Sequence, residues 1–176
     1  MKKIALAVVM TAFAVVFAAS SAFAFGTGKF KDEMEKEIEA VSLVRNVAQG
    51  GYDVITTAEL NELMKTGEDI LIVDTMPYED SYKKAHVPTA KQFLFPIPDM
   101  VEWDTKQTDG KTQEDYLQLL GPDKAKKIIV YCGFVKCTRS HNGALWAKKL
   151  GYTNVYRYPG GIFAWKGADF EVETVK

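Results

Sequence analysis

Cysteine and histidine are scarce in this 176-residue chain, with two of each. Two cysteines rule out a disulfide-stapled scaffold. Two histidines, His86 and His141, are too few for a multi-histidine metal site within one chain. Neither sign of charge is in excess, with 22 Lys+Arg against 23 Asp+Glu. A nucleic-acid binder that relies on a cationic field is thereby excluded. Past the first two dozen residues there is no long apolar run, no internal repeat and no low-complexity tract. What is left suits a single soluble domain of roughly 150 residues, large enough for a core without metal or disulfide.

The one long apolar stretch opens the chain. Lys2 and Lys3 precede an apolar run from Ile4 to Ala19 that only Thr11 interrupts, and Ser20-Ser21-Ala22-Phe23-Ala24 follows. The run is short of the roughly 20 residues that span a bilayer. Small residues at Ala22 and Ala24 fit a signal-peptidase site. Residues 1–24 are therefore expected to be a signal peptide cleaved after Ala24, leaving an exported, periplasmic protein with no stable membrane anchor. Residues 25–50 read as an amphipathic helix, with Phe30, Met34, Ile38, Val41 and Val44 at helical intervals. It ends at Gly50-Gly51 and serves either to cover a domain edge or to bind a partner.

Residues 51–176 alternate strand and helix signals. Strands are expected over Tyr52–Val54, Ile70–Asp74, Ala90–Leu94, Lys127–Tyr131 and Asn154–Arg157. Helical segments are expected over Thr57–Lys65, opened by a Thr56/Glu59 capping box, then Tyr78–Lys84, Gln113–Leu120, about His141–Leu150 and Gly161–Lys166. Phe95 to Gly110, with two prolines, reads as an irregular loop bordering a site. The alternation predicts an α/β fold with a parallel sheet covered on both faces, its functional crevice beyond the carboxyl ends of the strands. Asp74, Cys132 and Arg157 fall at such ends.

The chemistry is concentrated in Cys132-Gly133-Phe134-Val135-Lys136-Cys137-Thr138-Arg139-Ser140-His141. Cys132 follows a buried strand and faces a helix start, where backbone N–H groups favour an anion. Lys136 and Arg139 add positive charge, so a Cys132 thiolate with lowered pKa is expected. Gly133, Phe134, Val135, Lys136, Cys137, Thr138 and Ser140 form the expected substrate-binding loop. Cys137 is a candidate resolving thiol, with a loop-packing role as its alternative. Asp74 is expected to fix loop backbone and His86 to be a hydrogen-bonded structural histidine. His141 is a candidate anion donor, Arg157 either lines the pocket or makes an exposed ion pair, and Trp103, Trp146 and Trp165 are core or pocket-wall residues.

Four stretches together resemble the rhodanese family of sulfurtransferases, over about Val54 to Val172. They are Ile72-Val73-Asp74 with Tyr78-Glu79-Asp80-Ser81-Tyr82; Ala85-His86-Val87-Pro88-Thr89-Ala90, similar to a Gly-His-Ile-Pro-Gly-Ala motif; Val130-Tyr131-Cys132 with Arg139-Ser140; and Gly151–Tyr156 with Gly160-Gly161-Ile162-Phe163-Ala164-Trp165. The resemblance implies a rhodanese-like fold with a five-stranded parallel sheet. It also implies a catalytic Cys132, assisted by Arg139, that carries sulfur as a persulfide without metal or organic cofactor. The expected partners are a small sulfur-containing donor (thiosulfate, polysulfide or a persulfide) and a thiol or cyanide acceptor, with a periplasmic redox or sulfur-acceptor protein as a further candidate.

The sequence also departs from that pattern. Met76 stands where the family usually has arginine, and Thr89 where it has glycine. Six residues separate Cys132 from Arg139, a longer loop than its sulfurtransferases usually carry and nearer to related phosphatases and arsenate reductases. The rival expectation is a thiol–disulfide redox protein or oxyanion reductase using Cys132 and Cys137.

Overall fold

The computed structural model describes residues 28–175, so the expected signal peptide lies outside the described residues. Residues 28–50 are helical (α1). The chain divides into two units after Val41. In the first, Phe30, Met34 and Ile38 are exposed. No helix among the described residues is long and apolar enough to cross a membrane.

The second unit holds five strands, β1 Asp53–Val54, β2 Ile70–Asp74, β3 Lys91–Gln92, β4 Lys127–Tyr131 and β5 Val155–Tyr158. They form one sheet in the order β1-β5-β4-β2-β3, and every pairing is parallel. The helices are α2 Thr57–Lys65, α3 Gln113–Leu120, α4 Arg139–Lys149 and α5 Gly161–Gly167. The fold is the expected α/β architecture. From β2 the chain steps outward to β3, and from β4 outward to β5 on the other side, so the loops after β2 and β4 diverge over a crevice.

Local chemistry accounts for the elements. β2 and β4 are continuous apolar runs because both faces are covered. Capping boxes start α2 (Thr56 with Glu59) and α3 (Thr112 with Asp115). Side chains alternate between two cores. One contains Val73, Phe93, Phe95, Tyr116, Ile128, Val130, Ala144, Trp146 and Val155. The other contains Leu60, Ile72, Ile129, Tyr131, Tyr158, Ile162 and Trp165.

Three expectations need correction. The third strand is only Lys91–Gln92, because β3 is an edge strand that pairs Val73 and Asp74 alone. Tyr78–Tyr82 is a single π-helical turn. α4 begins at Arg139 rather than His141, since the Asn142 N–H already closes onto the Thr138 carbonyl at 3.1 Å.

Candidate active site

The register places the site. Asp74 pairs with Tyr131 across β2 and β4, and Tyr131 with Tyr158 across β4 and β5, so these residues form one row at the carboxyl edge of the sheet. Cys132 is the next residue after that row. The loop 132–138 then runs into α4.

Both ends of the loop are clamped. At its start, the Ile162 and Phe163 N–H groups of α5 donate to the carbonyls of Cys132 (3.0 Å) and Gly133 (3.0 Å). Gly161 sits so close that an added Cβ would lie 2.2 Å from the Cys132 oxygen, and its φ is +58°. Only glycine suits that position. At the far end, the segment flagged as irregular is stapled to α4. Asn142 donates to the carbonyls of Pro96 (2.8 Å) and Pro98 (2.9 Å) and accepts from the Met100 N–H (3.0 Å). Thr138 and Arg139 donate to the carbonyls of Ile97 and Phe95.

Beneath the loop lies Arg157, completely buried. Residues 155 and 157 of β5 share the face covered by α4, which brings the guanidinium under the loop. Nε donates to Ser140 Oγ at 2.9 Å, and Nη2 donates to the carbonyls of Val135 (3.1 Å) and Cys137 (2.9 Å). Nη1 is buried without a partner. Among the described residues Arg157 makes no ion pair with a carboxylate. The exposed ion pair considered for this residue is therefore wrong. A permanent buried cation without a counter-carboxylate favours an anion nearby.

The two thiols are free and both buried. Cys132 Sγ contacts the Cys137 carbonyl at 3.1 Å and Ser140 Oγ at 3.2 Å. Burial pushes the Cys132 thiol well up, reinforced by the Cys137 sulfur it faces and opposed by Ser140. That reverses the expectation of a Cys132 thiolate in the resting loop. The Cys137 thiol is shifted the other way, below its ordinary value. The Cys132 thiol lowers its pKa most, burial opposes, and the backbone N–H groups of Gly133 and Arg139 and the Arg139 charge lower it further. Arg139 thus supports the second thiol directly, while the loop carbonyls and Ser140 depend on Arg157.

The remaining expected residues divide between the loop's surroundings and the scaffold. Met76 lies over Gly133. Phe134 is exposed and packs on Phe163, ring centroids 5.3 Å apart. Lys136 is exposed at the loop crest. His141 is buried, with Nδ1 2.8 Å from the Tyr52 hydroxyl and Nε2 unpartnered. Burial and then Arg157 lower its pKa. Asp74 accepts the Met76 N–H at 2.9 Å and so fixes backbone at the end of β2. His86 Nδ1–H donates to the Tyr82 carbonyl at 2.8 Å, with its ring stacked on Tyr82. Trp146 and Trp165 are core residues, and Trp103 is partly buried against the first core. Sequence reading put Tyr52 on a strand, which begins instead at Asp53, and gave it no part in the site. Its only signal was a place on the shortest strand signal, next to a glycine pair.

A buried cysteine after the central strand of a five-stranded parallel sheet, in a loop leading straight into a helix, defines a thiol-bearing α/β domain. The chain belongs to the rhodanese-like domain family, which matches residues 56–168. Solved structures with the same fold include protein BH2092 of Bacillus halodurans, 25% identical over 77% of this chain and 86% of that one, TM-score 0.54. A thiosulfate sulfurtransferase of Pseudomonas aeruginosa is 20% identical over 74% of this chain, TM-score 0.54, and the match spans 22% of that longer chain. A full-length protein of Lactobacillus plantarum is 18% identical over 80% of this chain and 98% of that one, TM-score 0.51. No curated protein matches the chain.

Proposed function

We propose that this protein is an exported sulfurtransferase that carries sulfane sulfur on Cys132. One observation carries the reading: two buried free thiols sit in a loop whose Val135 and Cys137 carbonyls are held by Arg157, a buried cation with no carboxylate partner among the described residues. A loop built this way holds a sulfur anion in a neutral protein interior.

In the first step the Cys132 proton passes to the sulfur of Cys137, whose carbonyl lies 3.1 Å from Cys132 Sγ. The Cys132 thiolate attacks the outer sulfur of a donor such as thiosulfate, and sulfite leaves with the electron pair of the broken S–S bond. Cys132 then carries a persulfide anion, with Ser140 as a hydrogen-bond donor and Arg157 as its buried charge. A thiol acceptor (cyanide in a test tube) removes the outer sulfur and regenerates the thiol. Because Cys132 is fully buried, the donor reaches it only when the loop crest, Phe134 to Lys136, swings away. Export rests on the residue pattern of the first 24 positions.

Loading the protein with thiosulfate or polysulfide tests the reading. The expected result is a gain of about 32 Da on the Cys132 peptide when the reaction is stopped early, before any discharge, and none at any time in Cys132→Ser. An unmodified Cys132 with undiminished transfer would move the carrier to Cys137.

A further inference from the structure

We propose that Cys137 discharges the persulfide inside the loop, releasing sulfide and leaving a Cys132–Cys137 disulfide that an external dithiol must reduce. This rests on the reading of Cys132 as the sulfur carrier and adds the fate of the sulfur and the chemical class of the partner.

The placement of the two sulfurs supports it. Cys132 Sγ lies 3.1 Å from the Cys137 carbonyl, so the two cysteines meet across the loop, and Cys132 with the Gly133 and Arg139 N–H groups holds the Cys137 thiol pKa below its ordinary value. Cys137 is the outer of the pair, at 8% exposure against 0% for Cys132. Its backbone is held from below, since its carbonyl accepts from Arg157 at 2.9 Å and lies 3.1 Å from Cys132 Sγ. Persulfide formation adds a sulfur beyond Cys132 Sγ without moving Sγ from Cys137. The inner sulfur of the persulfide therefore stays within reach of a second, anion-stabilised sulfur, and the five-residue spacing keeps the local thiol concentration high.

The step balances. After loading, the proton held on Cys137 moves to the outer persulfide sulfur. The Cys137 thiolate attacks Cys132 Sγ, forming the Cys132–Cys137 bond and breaking the bond between inner and outer sulfur. The outer sulfur leaves as HS⁻ with the bond's electron pair. Starting from one thiol, one thiolate and thiosulfate, the products are the disulfide, HS⁻ and sulfite. The outer sulfur is reduced by two electrons and the two cysteine sulfurs are oxidised by two. A dithiol returns the loop to its starting state, two electrons at a time. The partner class is thus a small dithiol or a dithiol protein, not a metal or a nucleotide.

The experiment is a single turnover of the full mature chain with thiosulfate and no added thiol, scoring sulfite, sulfide and intact mass together. Sulfite reports loading, and sulfide reports discharge. Wild type is expected to release about one sulfide per chain and to lose about 2 Da, the loss reversed by dithiothreitol. Cys137→Ser, read at its endpoint because its loading is slower, is expected to hold the gain of about 32 Da. Its sulfide release should be at least about 100-fold lower. Wild type that releases sulfite but keeps the added mass, with no sulfide, overturns the discharge step and leaves the sulfurtransferase reading standing. Absence of both sulfite and added mass in wild type overturns both. The wild-type arm decides the matter even where the variant fails to fold.

Discussion

Two buried charged side chains end neighbouring regions of the sheet, and they are treated in opposite ways. Asp74, at the end of β2, faces the core that contains Tyr131 and Tyr158, and Arg157, on β5, faces the other core. Around Asp74 the hydrogen bonds go to backbone, while Asp74 Oδ2, like Arg157 Nη1, is buried without a partner among the described residues. Met76 N–H donates to Asp74 Oδ1, the Tyr131 hydroxyl accepts the Val87 N–H at 3.0 Å, and Tyr82 donates to the Ala90 carbonyl at 2.7 Å. Nearby, His86 and Glu173 exchange two backbone hydrogen bonds at 2.9 Å. Arg157 instead bonds to the thiol loop and to Ser140 in the first turn of α4, and it stands beside Tyr52. The first region can shed its charge by taking up a proton, and the second cannot. A carboxylate that can be neutralised is compatible with scaffold, whereas a permanent cation calls for an anion above it.

The largest expected effect is on the loop side. Gly161→Ala drives a Cβ into the Cys132 carbonyl and forces a side chain onto φ +58°. A loss of about 3–4 kcal/mol in stability is expected, together with loss of sulfur transfer. Urea unfolding and persulfide loading, measured side by side, check this. A stable, active variant would show that the α5 clamp does not set the loop.

Arg157→Met separates the two kinds of burial. It removes a costly buried cation, so stability should change by only about 1–2 kcal/mol despite the freed carbonyls of Val135 and Cys137. Loading of Cys132 should fall by roughly 100- to 1000-fold, as for loss of a charged stabiliser in a dry site. Large loss of stability with intact loading would make Arg157 scaffold like Asp74, and the contrast would fail.

Sequence alone reached the Asp74 region and the order of elements because each left a local mark: apolar runs for β2 and β4, the Thr56/Glu59 box for α2, an acid at a strand end. Arg157 left a weaker mark. The alternation Val155-Tyr156-Arg157-Tyr158 puts it on the same face as Val155, but no local signal tells that α4 covers that face. Cys132 was expected to have a lowered pKa, and burial pushes it up instead, for a similar reason. How deeply Cys132 is buried depends on how the loop folds over Arg157, a long-range contact that spacing does not encode. Six residues lie between Cys132 and Arg139, and the second thiol, Cys137, is one of them and is buried.

Asp74→Asn tests the scaffold side by pH. Burial raises the Asp74 pKa to about 6, with the Tyr131 and Met76 hydrogen bonds opposing. The folded state thus binds this proton more tightly than the unfolded chain does. Its stabilising contribution is complete below about pH 4, the unfolded pKa, and is lost as pH rises through about 6. Asparagine keeps an acceptor for Met76 and never ionises. The variant should therefore gain on wild type, by up to about 3 kcal/mol, between pH 4 and pH 7.5. Denaturant titrations at the two pH values measure the difference, in which the other carboxylates cancel. Parallel curves would mean that Asp74 has a partner in the folded state as good as water.

The smallest effect, at Thr89, isolates scaffold from site most cleanly. Thr89 occupies the position of a glycine in the motif the sequence resembles, and its φ is +65°, a conformation that strains a β-branched residue. Its N–H donates to Glu173 Oε2 at 3.0 Å, which ties it to the His86–Glu173 bridge and not to the loop. Thr89→Gly relieves the strain but loosens the unfolded chain, and the two effects oppose each other. The relief should win, with a net gain of about 0.5–1 kcal/mol and a rise of a few degrees in Tm. The backbone hydrogen bond to Glu173 survives the change, and no bond to Arg157, Ser140 or either cysteine is touched. Persulfide loading and sulfide release should therefore match wild type within error. A variant that gains stability and loses loading would show the two regions to be mechanically coupled through β2 and β4, and the division between scaffold and site would have to be redrawn.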